Sequence, residues 1–153
     1  MNTKNLVKLI VWLAICQLPG LMGMSFVYGN MEWYNRLAHP PFTPPDALFG
    51  IVWGVLYLLL GVSAFFAFRE KLHGKALMLL MGQLALNACW TPLFFGAHSL
   101  AGGVILIVAM IGEFYFLFKA LRKINRFCAN LLLPYGAWLV FAAYLTAATW
   151  WLN

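Results

Sequence analysis

The chain has 153 residues, of which 64% are hydrophobic and 9% are charged, and its formal net charge is +6 at pH 7. Soluble domains are roughly half apolar and a quarter charged, so this composition excludes an ordinary soluble domain and predicts a membrane protein. So apolar a composition also argues against a nucleic-acid-binding protein. We therefore expect the net positive charge to lie at the membrane surface, beside anionic lipid.

Five apolar segments predict an all-α membrane protein, a bundle of five transmembrane helices forming one domain over residues 1–153. The predicted helices cover about 6–28, 45–68, 76–95, 100–118 and 129–152. The first segment lacks a persuasive cleavage site, so we expect a retained helix and not a signal peptide. Short connectors predict antiparallel neighbours, and only the connector 29–44 is long. No internal repeat is evident, which weakens the case for an inverted-repeat transporter.

The distribution of Lys and Arg predicts the orientation of the bundle. With five spans, nine of the ten Lys and Arg residues fall on one side of the membrane and only Arg36 falls on the other. Because cytoplasmic loops retain positive charge, we expect a multi-pass protein of a bacterial cell membrane with its amino terminus in the cytoplasm.

Polar residues recur on one face of the third predicted helix. Gln83, Asn87 and Thr91 are spaced four residues apart, so their side chains share a helical face and must point into the bundle. Two interpretations stay open: these groups join helices by hydrogen bonds, or they line a ligand pocket.

Trp53 and Trp138 lie deeper in their helices than an interfacial aromatic belt would place them. Tyr57 follows Trp53 by one turn, and Ala142 and Leu145 share a face with Trp138. An indole offers a broad π-face and one N–H donor, which suits a flat and largely apolar ligand. The belt accounts for the tryptophans near helix ends, namely Trp12, Trp33, Trp150 and Trp151.

Three blocks of sequence carry a family resemblance. The first contains WYNRLAHPPFTPP from residue 33 and GIVWGVLY from residue 50; the second, from residue 82, is GQLALNACWTPLFFG; the third, from residue 133, is LPYGAWLVFA. Together they resemble the TspO/translocator protein family, also called tryptophan-rich sensory proteins or peripheral benzodiazepine receptors, over nearly the whole chain.

The resemblance implies a five-helix protein, often a homodimer, whose pocket is covered by the first connector. Its members bind protoporphyrin IX and haem, and also isoquinoline carboxamides and benzodiazepines. We therefore expect a tetrapyrrole or another flat apolar molecule as ligand, with no obligatory cofactor. Some bacterial members are reported to promote light-dependent protoporphyrin degradation. The cholesterol pattern of animal members is missing near Trp150, so cholesterol binding is not expected.

Carried onto this chain, the resemblance assigns the two pocket tryptophans to Trp53 and Trp138, which are also the candidates for photochemistry. It matches the third-helix amide to Asn87 and the small residue that admits ligand to Ala142. After Pro45, Asp46 stands where many members have an aromatic residue, which predicts a shifted ligand preference. No metal site is predicted. The expected ligand-binding residues are Trp33, Trp53, Tyr57, Gln83, Asn87, Trp90, Phe94, Trp138, Phe141, Ala142 and Leu145.

Four prolines stiffen the long connector: Pro40, Pro41, Pro44 and Pro45. Proline fixes φ and restricts the residue before it, so this segment loses little entropy when it is ordered as a lid over the pocket. A tight entry into the second helix is the alternative, and it explains only the last two prolines.

Glu113 is the acidic residue that lies well inside a predicted helix, and such residues are functional candidates because a charge in lipid is costly. It either couples proton movement to transport, or it snorkels to the basic edge and pairs there. Gly50 and Gly54 predict a close helix contact, within one chain or between two. Three functions stay open: a tetrapyrrole sensor, a photochemical degrader and a transporter.

Overall fold

The computed structural model describes residues 2–69, 71 and 73–153. The structure is 85% helical, and the described residues form no strand. The helices are α1 (Thr3–Gly29), α2 (Met31–Asn35), α3 (Asp46–Phe68), α4 (Gly74–Thr91), α5 (Leu100–Ile124), α6 (Arg126–Asn130) and α7 (Leu133–Leu152). Five helical segments are long and apolar enough to cross a membrane, which confirms the predicted all-α bundle.

Two of the predicted helix ends were wrong. The fourth helix was expected to stop at residue 118, before the first lysine, but α5 continues to Ile124 and carries Arg122 and Lys123 in its last turn. Lysine and arginine favour a helix carboxyl end and keep their heads in water, so they do not terminate the helix. The fifth helix was expected to be continuous, but a short turn separates α6 from α7, which has Pro134 in its first turn.

A π-helical turn, Pro92–Gly96, ends the third spanning segment. It is marked by a hydrogen bond between residues five apart, from the Ala97 N–H to the Pro92 carbonyl, at 2.8 Å. This wide turn buries the side chains of Phe94 and Phe95. Such turns often occur at functional sites.

The helices pack in a ring that has one loose seam. Helix α1 packs on α3 and α4, α4 packs on α5, and α5 packs on α7. In the described part of the chain, α3 and α7 are not a closely packed pair. Aromatic side chains from both helices meet at this place, which we call the seam.

The glycines of α3 differ in their surroundings. A Cβ on Gly50 or Gly54 would meet no atom of the described residues within 4 Å. The close approach occurs at Gly61, where a Cβ would lie 2.9 Å from the Cα of Leu13 in α1. Glycine is needed there because two backbones touch.

Candidate functional site

Four buried polar side chains join three helices at the centre of the bundle; we call them the amide–phenol cluster. The hydroxyl of Tyr57 in α3 donates to Asn87 Oδ1 in α4 at 3.1 Å. Asn87 Nδ2 and Gln83 Nε2 both donate to the hydroxyl oxygen of Tyr135 in α7, at 2.8 and 2.7 Å. Asn87 Nδ2 also donates to the Gln83 carbonyl at 2.7 Å. The predicted inward orientation of both amides is confirmed, and most of their capacity is used within the protein.

One group of the amide–phenol cluster has no partner. Gln83 Oε1 is buried and accepts no hydrogen bond from the described residues. Because the Tyr135 oxygen accepts two N–H groups, its own proton is not used in either bond. Rotating the Gln83 amide would give that proton an acceptor and free the amide donor instead. Either orientation leaves Gln83 with one polar group that has no partner among the described residues.

Four aromatic residues of α3 and α7 flank the seam; we call Phe49, Trp53, Trp138 and Phe141 the indole wall. Trp53 stacks on Tyr57, with ring centroids 5.6 Å apart. Trp138 contacts Phe49 at 6.0 Å and Phe141 at 5.4 Å. The two indoles thus contact different rings, and both are only half-buried.

The indole wall holds a second unpaired polar atom. Trp138 Nε1 is buried and finds no acceptor in the described structure. A buried N–H without a partner costs roughly 1 to 3 kcal/mol, so a native structure that keeps one invites a functional explanation. Ala142 and Leu145 are buried on the same helix. Thr146 Oγ donates back to the Ala142 carbonyl at 2.8 Å, so this threonine does not offer its proton to the seam.

The remaining predicted aromatic residues form a separate group under α2. Trp90 and Phe94 stack at 4.8 Å, and Trp90 Nε1 donates to the Gly103 carbonyl at 3.1 Å. Trp33 packs on Phe94 at 5.9 Å and stacks on His98 at 4.1 Å. These rings seat α2 on the π-helical turn, and no ring contact in the described chain joins them to Trp53 or Trp138.

Tyr34, beside Trp33 in α2, strengthens this seat. Its ring contacts Phe95 at 5.4 Å and His39 at 4.7 Å. Burial, and secondarily the charge of Asp46, raises the pKa of Tyr34 above its ordinary value. Its phenol is therefore neutral at physiological pH and packs as an uncharged ring.

The proline-rich connector is fastened to the far end of α7. The Asn153 side chain accepts from the Ala38 N–H at 2.9 Å and donates to the Ala38 carbonyl at 3.1 Å. The Tyr144 hydroxyl donates to the Pro41 carbonyl at 3.2 Å. Pro40 is buried, whereas Pro41 and Pro45 are exposed and Pro44 is half-buried. The connector thus bridges from α2 to the α7 side of the seam.

Glu113 lies away from this site, at the contact of α5 with α4. A Cβ on Gly82 would lie 2.6 Å from Glu113 Oε1, so the carboxyl group occupies the space left by that glycine. Among the described residues the ion pair joins Arg36 and Glu32, so no described basic residue pairs with Glu113. No three His, Cys, Asp or Glu side chains in the described chain are grouped to hold a metal ion.

Several residues of the site were not singled out from the sequence. Phe49 is one turn before Trp53, and Tyr135 is one turn before Trp138, so helical spacing could have found both. Tyr144 and Asn153 hold the proline-rich connector through contacts more than 100 positions apart in sequence. No local sequence pattern predicts such contacts.

Comparisons with known proteins point to one family. A model of the TspO/MBR family matches residues 10–152. The protein CrtK of Rhodobacter capsulatus is 31% identical over 153 residues, which cover 97% of this chain and 94% of the relative. The human Translocator protein is 35% identical over 136 residues, with 84% and 80% coverage. The Tryptophan-rich protein TspO of Archaeoglobus fulgidus is 31% identical over 152 residues, with 97% and 99% coverage.

Proposed function

Because the chain belongs to the TspO/MBR family, we propose that this multi-pass membrane protein binds a tetrapyrrole, protoporphyrin IX or haem, at the seam between α3 and α7. Occupancy of the seam would report tetrapyrrole levels and regulate porphyrin handling. The tryptophan-rich sensory and translocator relatives support a membrane sensor or binding role.

The observation that carries the proposal is the unpaired indole N–H of Trp138 at the one loose seam of the ring. A flat macrocycle stacked on an indole gains dispersion and quadrupole attraction, and a ring substituent with an oxygen acceptor would satisfy that N–H. Gln83 supplies a second unpaired group in the same bundle. Isoquinoline carboxamides and benzodiazepines also combine flat rings with a carbonyl acceptor, so the same seam suits them.

Ligand entry requires the seam to open. The rings of the indole wall pack on one another and on the amide–phenol cluster, and the lid bridges α2 and α7. Burial under such a lid would desolvate the bound ring, and a stiff lid costs little entropy to close.

The two alternatives differ in what they require of named residues. Photochemical degradation requires a redox-active side chain near the porphyrin and dioxygen as oxidant, and Trp53, stacked on Tyr57, fits that role. Transport requires a coupling group beside the pathway, and Glu113 packs against Gly82 between α4 and α5, away from the seam. Binding and sensing therefore remain the favoured function, with photochemistry second.

Orientation and assembly follow from the same proposal. The cluster of Lys and Arg at one end favours a cytoplasmic amino terminus, in a bacterial cell membrane. A homodimer is implied by the family resemblance, and Gly50 and Gly54 leave open space on α3 for a close helix contact between chains.

The test is a titration of the detergent-solubilised protein with protoporphyrin IX, followed by tryptophan quenching in the dark and then under illumination. The wild type is compared with Trp53→Phe and Trp138→Phe. Trp151→Phe is the matched control, because that indole is 87% exposed and lies outside the seam.

Saturable quenching that Trp138→Phe weakens and Trp151→Phe leaves unchanged would support a site at the seam. Pigment loss under light that either seam variant abolishes, while binding survives, would add photochemistry to binding. Quenching that does not saturate, or that responds equally to all three substitutions, would contradict tetrapyrrole binding at this site.

A further inference from the structure

A cavity lies at the end of the bundle opposite the proline-rich connector, between the start of α4 and the end of α5. It has a volume of about 380 Å³, within the range of ligand sites, roughly 300 to 1,000 Å³. We call it the basic pocket. Its lining residues are His73, Lys75, Ala76, Phe116, Lys119, Ala120, Lys123 and Ile124.

The extension of α5 past its predicted end builds one wall of the basic pocket. Lys119 and Lys123 are four residues apart, so their side chains lie one above the other on the same helical face. Phe116 precedes Lys119 on that face by three residues, one turn deeper in the span. The wall is thus cationic at its open end and aromatic toward the middle of the bilayer.

The cations of the basic pocket are not neutralised within the described chain. Lys75 and Lys123 have no hydrogen-bond or ion-pair partner there, and no described carboxylate lines the cavity. Lys119 is held in place, since its Nζ donates to the Tyr115 hydroxyl at 3.1 Å and lies 4.9 Å from the ring centroid. His73 precedes α4 without a side-chain cap, so the first N–H groups of that helix add positive potential.

We infer that the basic pocket binds the phosphate headgroup of an anionic membrane lipid, with an acyl chain lying along Phe116. Three lysines line the pocket, and their combined charge matches a headgroup with one or two phosphates. A lipid is favoured over a soluble phosphate because the pocket lies at the ends of two membrane-spanning segments. Phe116, 57% exposed, extends its apolar wall into the bilayer region.

Spin-labelled lipid in reconstituted vesicles provides the test. The full chain is placed in phosphatidylcholine vesicles with a few per cent of spin-labelled phosphatidylglycerol or spin-labelled phosphatidylcholine, and the immobilised fraction is measured. A juxtamembrane lysine contributes about fivefold in affinity for an anionic lipid, so Lys75→Gln with Lys123→Gln should weaken phosphatidylglycerol association roughly thirtyfold. The phosphatidylcholine signal should not change.

The matched control is Lys4→Gln with Arg126→Gln, which removes the same charge from exposed positions at the same end, outside the pocket. An equal loss in this control would overturn the pocket, since a diffuse surface potential would explain both. Competition by millimolar inorganic phosphate would also overturn it, because the site would then be one for a soluble anion. If the acyl chain lies on the Phe116 ring, Phe116→Ala should weaken binding of the labelled lipid further. An unchanged affinity would contradict this placement.

Discussion

The amide–phenol cluster and the indole wall lie side by side in the bundle but differ in how many of their polar atoms are paired within the protein. In the cluster, Asn87 bonds to three different groups, and Tyr135 accepts from two helical positions. In the wall, Trp138 keeps a buried N–H that bonds to nothing in the described structure. The paired polar groups hold α3, α4 and α7 together, whereas the Trp138 N–H bonds to no other described helix.

This difference changes the meaning of the polar stripe on the third spanning helix. The sequence places Gln83 and Asn87 on one inward face but leaves open whether they join helices or line a pocket. The structure favours the joining role for Asn87, since its amide is fully engaged with protein partners. Gln83 combines both roles, because its Oε1 stays unpaired. The two regions can be separated by experiments that compare stability with ligand affinity.

The largest expected effect is on stability, from Tyr135→Phe. Loss of the hydroxyl removes the acceptor of Gln83 Nε2 and one acceptor of Asn87 Nδ2, and it buries unpaired donors. Each buried donor without a partner costs roughly 1 to 3 kcal/mol in water-soluble proteins and less on average in membranes. We therefore expect the free energy of unfolding to fall by about 2 kcal/mol. Unfolding of the detergent-solubilised protein by increasing SDS measures it.

Tyr144→Phe is the matched control for that measurement, since it also removes a phenolic hydroxyl but from an exposed residue with one bond to the lid. A loss of stability in Tyr144→Phe equal to that in Tyr135→Phe would show that the cluster has no special structural role.

Trp138→Phe should give the opposite pattern. It removes a buried N–H that has no protein partner, so the stability of the ligand-free protein should change by less than about 1 kcal/mol. Affinity for protoporphyrin IX should fall about tenfold, the equivalent of one hydrogen bond and part of a stacking surface. Parallel SDS unfolding and quenching titrations give both numbers. A large stability loss with unchanged affinity would assign Trp138 to the structural region after all.

Much of this site follows from helical periodicity alone. A spacing of four residues puts Trp53 beside Tyr57 and Gln83 beside Asn87, and the structure has both pairs on shared faces. What periodicity could not give is which helices fail to pack closely, because the seam depends on the order of helices around the ring. It also could not separate Phe94 from the indole wall, since the π-helical turn redirects the residues that follow Thr91. Nor could it show that the Trp90 indole bonds to Gly103 in α5.

The lid should show a smaller effect, which is larger on binding than on stability. Pro40 and Pro41 restrict the conformations of the unfolded chain and of the open lid. Replacing them by Ala makes ordering of the lid less favourable by roughly 0.4 to 1 kcal/mol for each proline. We expect protoporphyrin IX to bind about threefold to tenfold more weakly, with a smaller change in the SDS unfolding midpoint. Asn153→Ala removes both hydrogen bonds to Ala38, so it should also weaken binding, by raising the dissociation rate of protoporphyrin IX. A stability loss that exceeds the affinity loss would favour a merely tight entry into α3.

The smallest effect is expected at Glu113, which belongs to neither region. Glu113→Gln keeps the shape of the side chain beside Gly82 and removes only the ability to ionise, so protoporphyrin IX affinity should stay within about twofold, because the seam does not include this residue. Gly82→Ala would crowd the same carboxyl group, whose flexible end can move aside, and it should leave the seam equally intact. Tetrapyrrole uptake into proteoliposomes under a proton gradient completes the measurement. Uptake that is driven by the gradient and lost in Glu113→Gln would make this carboxyl a coupling group and the protein a transporter. The indole wall would then be one binding site along the transport pathway.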